Sequence, residues 1–195
     1  MKYGVFGGTF DPPHEGHTEV ARAAMEHLGL DEVVFVPAFK NPLKGRRTSG
    51  PQQRLKMTKL HVEDEPGFSV SDIEISRGGD SYMIETIEEL MMAKPGEIWL
   101  ILGSDSMRTF MEWKSPEKLA RLVNFGIVVR PPDSFGACLF PLPEEIKEKC
   151  REIPMKPNKV SSSQVRDEII RGLSVEHLLK PEVWKYIRDS GLYSG

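Results

Sequence analysis

Along the chain, short and nearly continuous apolar runs alternate with longer stretches in which apolar residues recur at helical spacing. Tyr3 to Phe6, Val33 to Val36, Ile98 to Leu102 and Phe125 to Val129 are rich in β-branched and aromatic residues. Runs of this kind predict strands buried on both faces, as in a parallel sheet covered by helices. Phe68 to Ile75 is more polar and predicts a strand nearer a sheet edge. Between these lie predicted helices over Gly16 to Leu28, Gln52 to Val62, Tyr82 to Met92, Pro116 to Leu122 and Pro143 to Lys149.

The alternation implies an α/β fold with a doubly wound, mostly parallel sheet. From Ser161 onward the pattern changes and only helices are expected: Ser163 to Arg171, a turn near Val175, and Glu182 to Asp189. A serine at the helix start and Gly172 beyond its end form a cap pair. The expected organisation is one domain over 1–195, with an α/β core over 1–160 and a small helical C-terminal subdomain over 161–195. No internal repeat or linker interrupts it.

Composition narrows the field. A chain of 195 residues supports one sizeable core. The net charge of -3 lacks the basic excess of a bulk nucleic-acid binder. No apolar run approaches the roughly 20 residues of a membrane helix, and glycines interrupt the N-terminal run before it could form a signal-peptide core. Cys138 and Cys150 are the only cysteines and have no metal-site spacing. They read as unpaired thiols in a reducing, cytoplasmic setting.

In open α/β sheets ligands bind beyond the carboxyl ends of the strands, so the segments after each strand carry the candidate chemistry. The first is Gly7-Gly8-Thr9-Phe10-Asp11-Pro12-Pro13-His14-Glu15-Gly16-His17. It is neither of the common phosphate loops. Its glycines still permit close backbone approach, and the following helix start offers free N–H groups to an anion. His14 and His17 can face one ligand together, donating hydrogen bonds to a phosphate or offsetting its charge when protonated. The competing readings are a zinc site, which lacks further ligands apart from Asp11, or two surface histidines. His14-Glu15-Gly16-His17 resembles the signature of the His-x-Gly-His nucleotidyltransferases. The Gly-Gly-Thr-Phe-Asp-Pro start resembles that of the bacterial nicotinate-nucleotide adenylyltransferases.

Pro37 to Arg47 places four basic side chains in a loop, which is either a solvated basic run or a phosphate contact. The family carries Pro-His-Lys here, its lysine reaching the phosphates. Leu43 stands in the histidine's place, and Lys44 matches the lysine. Val160-Ser161-Ser162-Ser163-Gln164-Val165-Arg166 is either a plain serine cap or an anion site at a helix head. There Arg166 opposes the macrodipole unless an anion is bound. It resembles the family's Ile-Ser-Ser-Thr-x-Ile-Arg motif, whose serines and arginine hold ATP phosphates.

Gly103-Ser104-Asp105 resembles the family's Gly-x-Asp, used near the nucleotides; on position alone Asp105 could equally cap the next helix. Trp113 lies in a polar stretch expected to be exposed, and the resemblance makes it the tryptophan that stacks on a pyridine ring. Trp99 and Trp184 read as core residues. Ser81-Tyr82-Met83-Ile84-Glu85-Thr86 resembles Ser-Tyr-x-x-Asp-Thr, where Thr86 and nearby N–H groups would meet a nicotinate carboxylate. Pro131 to Pro143 matches no feature of the family.

The resemblance thus implies a Rossmann-like nucleotidyltransferase that transfers AMP from ATP to nicotinate mononucleotide. His14, His17, Lys44 and Arg166 are the expected catalytic residues. Gly7, Gly8, Thr9, Phe10, Gly16, Gly103, Asp105 and Ser161 to Ser163 would bind ATP. Thr86, Trp113, Asp105 and Lys44 would bind nicotinate mononucleotide. Mg2+ would arrive with ATP, without a protein metal cage. ATP and nicotinate mononucleotide are the expected partners; a homo-oligomer is allowed, and neither nucleic acid nor membrane is expected. The alternatives are the same chemistry on nicotinamide mononucleotide or another phosphorylated acceptor, or a nucleotide-binding regulator without catalysis.

Overall fold

The computed structural model describes residues 1–40, 49–156 and 160–194. Alternate side chains of each strand enter different layers, as period-two geometry requires. From β1 (Lys2–Gly8), Tyr3 and Val5 pack on one face. From β2 (Glu32–Pro37), Val34 and Val36 join them while Val33 and Phe35 face the other layer. Ile98, Leu100 and Leu102 of β4 (Glu97–Gly103) share the first face, and Trp99 and Ile101 the second. Phe125 and Ile127 of β5 (Asn124–Val128) complete the first.

With β3 (Phe68–Val70) and β6 (Cys150–Glu152), these strands form a six-stranded sheet in the order β3-β2-β1-β4-β5-β6. Every pairing in it is parallel. The order reverses between β1 and β4, which is the crevice where doubly wound sheets bind ligands.

One layer is built on α1 (Glu15–Leu28), whose Val20, Ala21, Ala24 and Leu28 follow helical spacing into the core. The sheet is thinned under it. A Cβ on Gly126 would stand 2.7 Å from Leu28 Cδ1, and one on Gly4 would stand 2.9 Å from Leu30 Cδ1. On the opposite face α4 (Met83–Ala93) buries Ile84, Ile87 and Leu90. Beside it lie α5 (Ser104–Arg108) and α6 (Pro116–Leu122), joined by a 3-10 turn over Phe110–Glu112.

The expected edge strand over Phe68 to Ile75 is shorter than its alternation suggested. The chain leaves the sheet after Val70, and α3 (Ile73–Arg77) takes the two isoleucines. Having only β2 beside it among the described residues, β3 gains little by continuing. The turn to α3 buries Glu74 and Ile75 instead. Within Pro131 to Pro143 lies α7 (Phe135–Leu139), capped by Ser134 and burying Cys138 and Leu139. It precedes α8 (Glu144–Lys147). Cys138 and Cys150 are buried free thiols.

The C-terminal helices form a separate cluster against α2 (Pro51–Val62), with Met57 of α2 at its centre. Val165 of α9 (Ser162–Ile170) and Val183 and Ile187 of α10 (Pro181–Asp189) supply its apolar side. Trp99 is buried in the sheet as expected, while Trp184 is only half-buried, with the Arg188 guanidinium 5.5 Å from its ring. No helix among the described residues is long and apolar enough to cross a membrane.

Candidate active site

The loop leaving β1 is built around an inverted residue. Phe10 has φ +50, a left-handed conformation that bulky residues rarely adopt. Its ring is buried among Phe6, Phe35 and His17, at centroid distances of 5.6, 5.5 and 5.0 Å. The ring lies directly over Gly8, where any Cβ would meet it at 2.8 Å. Gly8 is therefore needed for close approach.

His14 caps α1, and its backbone N–H donates to His17 Nδ1 at 3.1 Å. The two rings lie 3.8 Å apart, tilted by 32°. Because Nδ1 of His17 accepts, the proton of its neutral ring sits on Nε2. Burial, then the charges of His61 and Arg130, lower the His14 pKa to about 3. Burial and the neighbouring His14 likewise hold His17 well below the usual histidine range. Both imidazoles are neutral hydrogen-bond donors at neutral pH. Behind them Thr18 Oγ1 bonds His61 Nε2 at 2.8 Å, and burial lowers the His61 pKa to about 4.

Facing this loop is the head of α9. Ser161 caps the helix by accepting from the Gln164 N–H at 3.2 Å. Ser162 Oγ donates to the Pro12 carbonyl at 2.8 Å. Arg166 donates to the Asp11 carbonyl at 2.7 Å and to Ser163 Oγ at 3.1 Å. His14, His17, the serines and Arg166 thus line one cavity of about 570 Å³, together with Phe10, Gly103 and Asp105. Arg130 also lines it, standing just beyond β5. It was not singled out in the sequence, although an arginine directly past a strand end was the available signal. Gly16 is buried in the first turn of α1 and does not line the cavity.

A second cavity of about 390 Å³ opens beside the first and shares Gly7, Gly8, Thr9 and Asp105 with it. The shared wall is the crevice between β1 and β4. A Cβ on Gly103 would fall 2.5 Å from Asp105 Oδ1, so the carboxylate folds back over the strand end. Trp113 lines the second cavity but is half-buried rather than exposed, with Phe110 at 5.6 Å. Its buried Nε1–H has no partner among the described residues. Lys114 Nζ lies 4.2 Å above the Tyr82 ring and 2.6 Å from Glu85.

Thr86 departs from its expected place. It is fully buried and does not line the cavity. Its hydroxyl donates to Glu74 Oε1 at 2.6 Å and accepts from Arg77 Nη2 at 3.1 Å. Glu74 forms part of the cavity wall in its stead. Lys44 and Leu43 lie outside the described residues.

A support for both cavities comes from Arg54, which is buried and escaped sequence reasoning. It donates to the carbonyls of Thr9, Phe39 and Ser49 at 2.9, 2.9 and 3.0 Å. One guanidinium thereby joins the β1 loop, the end of β2 and the approach to α2. A lone arginine in a helix carries no sequence signal of that role.

Residues 5–168 match the model of the cytidylyltransferase-like family. A probable nicotinate-nucleotide adenylyltransferase of Herpetosiphon aurantiacus is 41% identical, over 99% of this chain and 98% of its own length. One from Exiguobacterium sibiricum is 36% identical over the whole of both chains. The fold alone is shared with the Plasmodium falciparum nicotinic acid mononucleotide adenylyltransferase complexed with NaAD. The TM-score there is 0.77 at 19% identity, covering 98% of this chain and 97% of that one. The chain belongs to the cytidylyltransferase-like family and, within it, to the nicotinate-nucleotide adenylyltransferases.

Proposed function

We propose that this enzyme transfers AMP from ATP to nicotinate mononucleotide, releasing pyrophosphate and forming the adenylylated dinucleotide. The observation that carries the reading is the pair of cavities meeting at the β1–β4 crevice. One is lined by His14, His17 and Arg166, and the other by Trp113. A triphosphate suits the first and a pyridine mononucleotide the second.

In the reaction, a phosphate oxygen of the mononucleotide forms a bond to the α-phosphorus while the bond from that phosphorus to the bridging oxygen of pyrophosphate breaks. The nucleophile is already ionised at neutral pH, so no general base and no covalent intermediate are needed. Catalysis reduces to alignment and stabilisation of charge. The His17 Nε2–H, the Arg166 guanidinium and His14 are assigned to the reacting phosphates, and Lys44 is added on the family resemblance alone. The serine-headed α9 adds N–H groups for the same anion. Asp105, at the wall shared by both cavities, suits ribose hydroxyls.

A divalent ion suits this site as a companion of the substrate. Among the described residues no group of three His, Cys, Asp or Glu side chains could hold one. Mg2+ would enter on the triphosphate and offset its charge.

The experiment measures pyrophosphate release from ATP with nicotinate mononucleotide, with nicotinamide mononucleotide, and with neither. Release with the acid and far less with the amide is expected. Preference for the amide would overturn the acceptor assignment, and no release with either would overturn catalysis.

A further inference from the structure

Tyr193 sits in the turn after α10 and lines neither cavity. It nevertheless adopts φ +63, a left-handed conformation that disfavours a bulky side chain. In that conformation its phenol donates to Asp11 Oδ1 at 2.6 Å. Asp11 is itself buried, at 2% exposure. The same carboxylate accepts the Ser49 N–H at 3.2 and 3.3 Å. Both of its oxygens are thus occupied by donors.

Arg166 stands beside the same residue. Its Nη1 stands 4.0 Å from the carboxylate and bonds the Asp11 backbone carbonyl instead. Holding the Asp11 side chain in place therefore also holds the backbone carbonyl that orients the guanidinium. Burial and the Asp11 charge raise the phenol's pKa far above its ordinary value, so Tyr193 remains a donor at every working pH.

We propose that Tyr193 is a positioning residue for adenylyl transfer: its phenol anchors Asp11, whose backbone carbonyl holds Arg166 toward the triphosphate, and so fixes the loop that carries His14. The inference rests on the proposed reaction. It differs from a stabilising role, because it ties one hydroxyl to the chemical step through the direction of a cation.

The test compares wild type, Tyr193→Phe, Asp11→Ala, the double variant and Ile187→Val by pyrophosphate release, well below every melting temperature. Ile187 is buried in the same C-terminal cluster and does not line the cavities, so its variant reports loss of packing alone. Tyr193→Phe should lower kcat about tenfold, with KM for nicotinate mononucleotide within about twofold. Asp11→Ala should cause a similar loss, and the double variant should be no slower than the slower single one. Ile187→Val should melt earlier and keep wild-type kcat. An unchanged kcat in Tyr193→Phe, losses that multiply in the double variant, or an equal loss in Ile187→Val would each overturn the proposal. Should Tyr193→Phe not fold, Asp11→Ala carries the test alone: a kcat within twofold of wild type overturns it. Absence of turnover in the wild type is a different failure, that of the proposed reaction.

Discussion

His17 illustrates how much one backbone hydrogen bond decides. With Nδ1 committed to the His14 N–H, the ring presents Nε2–H as a fixed neutral donor. Such a donor, aimed where charge develops, is worth about a hundredfold to a thousandfold in rate. His17→Ala should lose that much turnover in the pyrophosphate assay and keep the wild-type circular dichroism spectrum. A variant within tenfold of wild type would remove His17 from the chemistry. The pair's position was legible, because two histidines around a glycine after a strand are unusual enough to stand out. Its protonation was not, since that depends first on burial in the folded chain, and then on His61 of α2 and Arg130, far away in sequence.

Elements were legible where burial is two-sided. The runs at Val33 to Val36 and Ile98 to Leu102 had one reading because both faces of those strands are covered. β6 escaped notice, being three residues long with two of them exposed. Thr86 was misplaced for a related reason. Glu74 and Arg77 of α3 satisfy its hydroxyl, and no local pattern announces such a pairing. Arg54 makes the energetic case for these hidden supports. Arg54→Met would leave the carbonyls of Thr9, Phe39 and Ser49 without their donor in a dry interior. The expected loss is about 3 kcal/mol in denaturant unfolding, accompanied by weaker activity because two substrate-facing loops come apart. A loss below about 1 kcal/mol would show that water replaces the guanidinium there.

For the molecule as a whole, the buried histidines couple folding to acidity. His14 and His61 titrate near 3 and 4 in the folded chain and near 6.5 when unfolded. Their folded values are lowered, so the stability they contribute is complete above 6.5 and is lost as pH falls. Below 6.5 the unfolded chain binds protons that the folded one refuses, at about 1.4 kcal/mol per pH unit for each histidine. The melting temperature should therefore fall between pH 6.5 and 5, above the range in which carboxylates titrate. His61→Gln should make that slope shallower by about one proton. Equal slopes in the two proteins would mean that His61 accepts a proton without unfolding.

Several contacts that finish the first loop come from the C-terminal part of the chain. Pro12 is held by Ser162, Asp11 by Arg166 and Tyr193, and the first-turn N–H of Glu15 by the Leu178 carbonyl at 3.1 Å. During synthesis the sheet and its covering helices emerge before any of these partners. A nascent chain up to about residue 160 can therefore bury its strands while its catalytic loop still has open carbonyls. The side chains that α9 brings to the proposed site thus join the loop only when that helix has closed on α2, which the order in which residues appear places late in synthesis.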